Sequence, residues 1–123
     1  MEHANRLARL AVVLHDAFDA IVMTNLEGRV LAWNPAAERM YGWSEAQALK
    51  LTLQERVPAA ALEQTMARLK LLSQAQVIGP ITTQRLTCSG AVINISLVAT
   101  PLVDAKGRVY AISATERLQS VAE

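Results

Sequence analysis

The stretch RVLAWNPAAERMYGWS, residues 29–44, leaves the chain little choice of local structure. An apolar run, Val30-Leu31-Ala32-Trp33, stops at Asn34-Pro35, and a helix is expected over Ala36–Tyr41. Asn34 is a strong N-cap, because its side-chain oxygen accepts an N–H of the first turn that has no partner inside the helix. Pro35 at the first helical position loses nothing by lacking an N–H. Gly42 ends the helix where a left-handed backbone is favoured. Ser44, with Gln47 three residues on, is a capping box and opens a second short helix. A strand is therefore joined to a helix without a loop, and the chain then bends again. Trp33, Met40, Tyr41 and Trp43 supply bulk at the bend.

The flanks extend this pattern. Ala20–Asn25 is β-branched and short, as a strand should be. With a turn at Glu27-Gly28 and the return run Arg29–Trp33 it makes a hairpin. Pro58 precedes a longer helix, from Ala59 to about Ala75, with Leu62, Met66, Leu69 and Leu72 on one face and Glu63, Gln64, Arg68 and Lys70 outward. Gly79-Pro80 reads as a break. Three strands follow: Ile81–Cys88, Ala91–Val103 and Arg108 to about Leu118, with turns at Ser89-Gly90 and Asp104–Gly107. In the middle one Ile93, Ile95, Leu97 and Ala99 alternate with Asn94, Ser96 and Thr100, so one face is drier. Before all of this, Glu2–Phe18 reads as a helix whose apolar stripe is Leu7, Leu10, Leu14 and Phe18. That stripe has to bury on its own sheet or on a partner subunit.

The order of elements gives an α+β fold. The strands must meet in one five-stranded antiparallel sheet, with the helices of residues 35–75 across one face, and such a crossover leaves a hollow for a small ligand. The chain has 123 residues, enough for one domain and too few for two. A net charge of +1 argues against a surface that neutralises phosphates, hence against nucleic acid as a partner. One cysteine, Cys88, rules out an internal disulfide and a cysteine-rich zinc site. No apolar run is long enough to span a membrane, and no signal peptide is visible, so no membrane insertion and a cytoplasmic location are expected.

Two stretches carry a family resemblance. DAIVMTNLEGRVLAWNPAAERMYGWS resembles the start of a PAS domain, and GAVINISLVATPLVDAKGRVYAISATERL resembles its end. The shared features are the Asn-Pro-Ala helix, the Gly-Trp-Ser corner and the hairpin from Pro101 to Arg108. More narrowly, TQRLT and VYAISATER are similar to PAS modules of bacterial chemotaxis methyltransferase–methylesterase fusion proteins and sensor kinases. The resemblance covers about residues 16–118. It implies the sheet order 2-1-5-4-3 and a sensory module that relays a signal to an output domain (a kinase, methyltransferase or cyclase) in a longer chain. On this reading residues 1–18 are a flanking dimerisation helix, 19–118 the PAS domain and 119–123 the start of a linker. A homodimer is expected, paired through Leu7, Leu10, Leu14 and Phe18.

The resemblance also frames the cofactor question. Haem would need a histidine near the long helix, and His3 and His15 both lie in the first helix. A flavin that forms a cysteine adduct needs a cysteine within residues 52–57, where there is none. A flavin held without a covalent bond stays open but is not favoured. The family's Asp-Ile-Thr signal exit corresponds to Ser113, Ala114 and Thr115, followed by Glu116 and Arg117, so Ser113 replaces the aspartate. Signal exit is expected at Ser113, Thr115, Glu116 and Arg117.

For the ligand, the alternation places a pocket between Val22, Thr24, Arg85, Ile95, Leu97, Ile112 and Ala114 on the sheet and Tyr41 and Met66 on the helices. Arg85 is the expected anchor for an organic acid; the alternative is a structural pair with a glutamate such as Glu55 or Glu63, or a guanidinium that reaches solvent at the pocket mouth. No activated nucleophile, paired carboxylates, phosphate loop or metal-ligand spacing is present, so no enzyme is expected. A small enzyme on a similar α+β cup and an interaction domain with a filled core are the alternatives.

Overall fold

In the computed structural model, which describes residues 19–121, β1 (Ala20–Thr24) and β2 (Val30–Trp33) form the expected hairpin. The stripe of Leu7, Leu10, Leu14 and Phe18, together with His3 and His15, lies outside the described residues. The hairpin turn is held by Asn25, whose side-chain oxygen accepts from Glu27 N (3.0 Å) and Arg29 N (2.9 Å). Gly28 supplies the positive φ of 91° that the turn requires.

α1 (Pro35–Tyr41) follows β2 directly. Asn34 Oδ1 accepts from Ala37 N at 2.9 Å, the expected cap. The same oxygen also accepts from Ile21 N at 2.9 Å, and Asn34 Nδ2 donates to the Asp19 carbonyl at 3.1 Å. One side chain thus ties the helix start to β1. Gly42 ends α1 with φ 88°, and a Cβ placed there would lie 2.5 Å from Cys88 Sγ, so both backbone and space call for glycine. The Tyr41 carbonyl accepts from Cys88 N at 2.8 Å, which fixes the end of α1 to the turn after β3.

Ser44 and Gln47 make the expected capping box for α2 (Glu45–Ala48). A single 3₁₀ turn, Leu53–Arg56, then leads to α3 (Ala59–Ser73). β3 (Ile78–Leu86), β4 (Val92–Val103) and β5 (Val109–Val121) complete a sheet in the order β2-β1-β5-β4-β3, antiparallel throughout.

Two boundaries differ from the sequence reading. β3 begins at Ile78, so Gly79-Pro80 sits inside the strand as an irregularity in register rather than as a break. Gly79 has φ 104°, and a Cβ there would meet the Leu97 carbonyl at 2.4 Å; the strand bulges where only glycine fits. β5 runs on to Val121, past the expected linker start at 119, because Ser120 and Val121 still pair with Asn94 and Ile93.

The register sorts side chains by face. Trp33, Val22, Ala114 and Ala99 form one row across the inner face, and Ala20, Glu116, Leu97 and Ile81 form another. The core lies between this face and the helices, built on Trp33, Tyr41, Leu53, Leu69, Leu72 and Ile95. Trp33 stacks at a tilt on Tyr41 (5.4 Å between centroids), meets Trp43 edge-on and donates its Nε1–H to the Trp43 carbonyl at 3.0 Å.

Replacing Asn34 removes more than a cap. Asn34→Ala is expected to lower the unfolding free energy by about 2–3 kcal/mol, combining the cap with the bonds to Ile21 and Asp19. Asn34→Asp keeps both acceptor bonds but sets a carboxylate oxygen against the Asp19 carbonyl, so it should recover only part of that loss. Urea unfolding with an unchanged slope checks both values.

Candidate functional site

A cavity of about 40 Å³ lies between the inner face of the sheet and α3. Its walls come from every strand but β2. Val22 and Thr24 on β1, Ile112, Ala114 and Glu116 on β5, Leu97 and Ala99 on β4, and Ile78, Ile81, Thr83 and Arg85 on β3 form one side. Leu53 and Arg56 from the 3₁₀ turn and Thr65, Arg68, Leu69 and Leu72 from α3 form the other. A space of this size takes a few waters or a molecule of few heavy atoms.

The polar lining is unusual for a core. Arg56 is 1% exposed, Glu116 2% and Arg85 4%. Tyr41 is fully buried behind Glu116 and donates its hydroxyl hydrogen to Glu116 Oε1 in a short hydrogen bond. Burial, and then the adjacent Glu116 carboxylate, push the Tyr41 phenol well above its ordinary pKa, so it stays a donor. Arg56 lies with its guanidinium carbon 5.4 Å above the Trp33 ring, a cation–π contact in the interior. Burial pulls its pKa down while Glu116 pulls it up, and a guanidinium starts too high to lose its proton.

These groups do not satisfy one another. Neither arginine lies within ion-pair distance of Glu116. Arg85 Nη1 donates to the carbonyl of Gln84 at 2.9 Å. Arg56 Nε and Nη1, Arg85 Nε and Thr65 Oγ1 have no hydrogen-bond partner in the protein. Among the described residues, these four are the buried side-chain polar atoms left so, and all belong to residues that line this cavity.

Of the residues expected from sequence, Val22, Thr24, Arg85, Leu97, Ile112 and Ala114 line the cavity. Ile95 does not; it is fully buried in the core. Met66 packs half-buried against the core, and its neighbours Thr65 and Leu69 face the cavity instead. Tyr41 acts from behind, through Glu116. Neither suggested glutamate pairs with Arg85: Glu55 accepts from Thr52 N and Oγ1, and Glu63 is exposed. Arg68, expected to point outward, is half-buried and lines the cavity.

The four expected exit residues divide between two faces. Glu116 faces inward, whereas Ser113, Thr115 and Arg117 belong to the opposite face. Arg117 is exposed and forks onto Asp19, with Nε to Oδ1 at 2.9 Å and Nη2 to Oδ2 at 3.1 Å.

Cys88 is exposed on the turn between β3 and β4 and does not reach the cavity, so no thiol is placed for an adduct. The lining presents two buried guanidiniums, Arg56 and Arg85, to a cavity of about 40 Å³. Among the described residues no cluster could hold a metal ion, and no helix is long and apolar enough to cross a membrane.

The model of the PAS fold family matches residues 8–116. No curated protein sequence matches the chain significantly. Solved structures do. A PAS domain from Colwellia psychrerythraea is 22% identical with a TM-score of 0.85, over 94% of this chain and 98% of that one. A domain of a sensory box sensor histidine kinase/response regulator from Geobacter sulfurreducens is 19% identical with a TM-score of 0.73, over 91% and 93%. A LOV protein from Rhodobacter sphaeroides is 14% identical with a TM-score of 0.74, over 94% and 67%. At these identities the likeness is one of fold.

The buried phenol sets a pH dependence. The folded chain holds the Tyr41 proton more tightly than the unfolded chain, so the resulting stability is complete below a pH of about 10 and is lost as pH rises beyond it. The advantage of the wild type over Tyr41→Phe should therefore shrink above that pH, by up to about 1.4 kcal/mol per unit. Urea unfolding of both proteins across the alkaline range measures it.

Proposed function

The chain belongs to the PAS family, whose model matches residues 8–116, and we propose that it is a sensory signalling module that takes a small molecule into the cavity between its sheet and α3. One observation carries the reading. Buried polar side chains are nearly always paired, and the exceptions tend to mark a site. Here four unpaired atoms, on Arg56, Arg85 and Thr65, belong to the lining of a single cavity. A domain serving only as a packed interaction surface gains nothing from three guanidinium N–H groups left without partners in its core.

The relay runs through β5. Glu116 faces the cavity, and Arg117, the next residue, grips Asp19 on the other side of the sheet. Asp19 also gives its carbonyl to Asn34 and stands directly after residues 1–18. A guest that repositions Glu116 therefore shifts the strand that holds Asp19. On this reading residues 1–18 pair two copies through Leu7, Leu10, Leu14 and Phe18, and the shift passes to an output domain, a kinase, methyltransferase or cyclase. The cavity binds and does not transform its guest. Sensor kinase domains of the same fold, such as that from Geobacter sulfurreducens, support this reading.

Native mass spectrometry of the purified chain after incubation with cell extract tests it. The wild type should retain a small molecule that Arg85→Ala does not, and hydrogen exchange at Asp19–Met23 should differ between loaded and empty protein. No retained molecule, or equal retention by Arg85→Ala, would remove the cavity from the function.

A further inference from the structure

We infer that the cavity is a receptor for a small organic monoanion, a short aliphatic carboxylate held jointly by Arg56 and Arg85. The inference rests on the cavity being the ligand site and adds the chemical class of the ligand.

Charge decides the class. Two buried guanidiniums face one carboxylate, Glu116, and one oxygen of that carboxylate is taken by Tyr41. A third guanidinium, Arg68, stands half-buried at the same cavity, near enough to Arg85 for the two to repel. Water can satisfy unpaired N–H groups but does not cancel charge in a poorly solvated interior. A neutral guest leaves the excess in place, and a cation adds to it. An anion removes it.

The free donors decide the group. Arg56 Nε and Nη1 and Arg85 Nε are buried without a protein partner, on two residues that line the cavity. The planar fork of a guanidinium matches the two oxygens of a carboxylate. Thr65 Oγ1, on the α3 side, is a further unpaired donor for one of those oxygens.

The rest of the lining decides the body. Leu53, Leu69, Ile81, Leu97 and Ala99 offer carbon and no hydrogen bond. The guanidiniums would recompense an inorganic ion such as phosphate on one side only, and against these carbons it would lose water with nothing in return. A chain of a few methylenes is at home there, and the size of the cavity keeps it short.

The test is calorimetric titration of the wild-type chain with sodium acetate, propionate, butyrate and hexanoate. Each acid is paired with its uncharged amide, and sodium nitrate and phosphate are run as inorganic anions. One or more acids should bind saturably, and the matching amide should bind at least about tenfold more weakly, the scale of a charged hydrogen bond. Arg85→Gln should weaken the acid by a similar factor, and Glu116→Gln should strengthen it by removing the competing carboxylate. The acid–amide comparison needs no variant, so it stands if a variant fails to fold. Equal binding of acid and amide would overturn the inference, as would nitrate or phosphate binding as well as the best acid. Absence of binding by every acid would overturn it too. Retention of a neutral or cationic molecule from extract, with no acid bound, would overturn the ligand class while leaving the sensory reading in place.

Discussion

The fold turns on the side chain of Asn34. It caps α1 through Ala37 N, holds β1 through Ile21 N and reaches back to the Asp19 carbonyl. With the helix start fixed to the strand, two turns of helix carry Tyr41 to a set place behind the sheet. There its hydroxyl meets Glu116, and its carbonyl takes Cys88 N. The position of Glu116, and so the polar side of the cavity, follows from a cap seven residues upstream of Tyr41. Gly42 completes the arrangement, because any side chain there would strike Cys88.

Burying two arginines beside one glutamate is an expensive way to fill a core. Apolar residues of the same volume often serve stability as well or better. The cluster is nevertheless closely framed: Arg56 lies on Trp33, Arg85 bonds to the carbonyl of Gln84, and Glu116 is held by Tyr41. Each charged group is steadied by an uncharged one, while Arg56 Nε and Nη1 and Arg85 Nε keep no hydrogen-bond partner in the protein. On the far side of β5, the exposed pair of Arg117 and Asp19 adds little stability, as surface ion pairs do, but its two-pronged geometry fixes where residue 19 sits relative to the strand.

Most of the fold was legible because its signals are local. The cap at Asn34, the capping box at Ser44, the positive-φ glycine at 42 and the two-residue alternation in β4 need no tertiary information. The site was legible only in part. Alternation placed Arg85 on the inner face, and the same parity, counted from Ile112 through Ala114, reaches Glu116. The family pattern drew that residue into an exit group instead, and the structure divides the group between faces. Parity gives a face but not a depth, which is why Ile95 proved to be core rather than lining. Arg56 gave no signal at all: it stands in a single 3₁₀ turn with no period to read, and nothing local marks an arginine there as buried. Gly79-Pro80 looked like a break because the signal is local, whereas pairing with β4 carries the strand through it.

The central claim is that Arg56 and Arg85 share one anion in the interior of the domain. Arginine Nε–H resonances report on it directly, since both nitrogens lack a protein partner while Arg117 Nε is already bonded to Asp19. Titration of ¹⁵N-labelled protein with sodium butyrate should move the Arg56 and Arg85 signals together along one saturation curve and leave Arg117 in place. Signals of Arg56 and Arg85 that stay fixed, or that drift with salt in step with Arg117, would contradict the account.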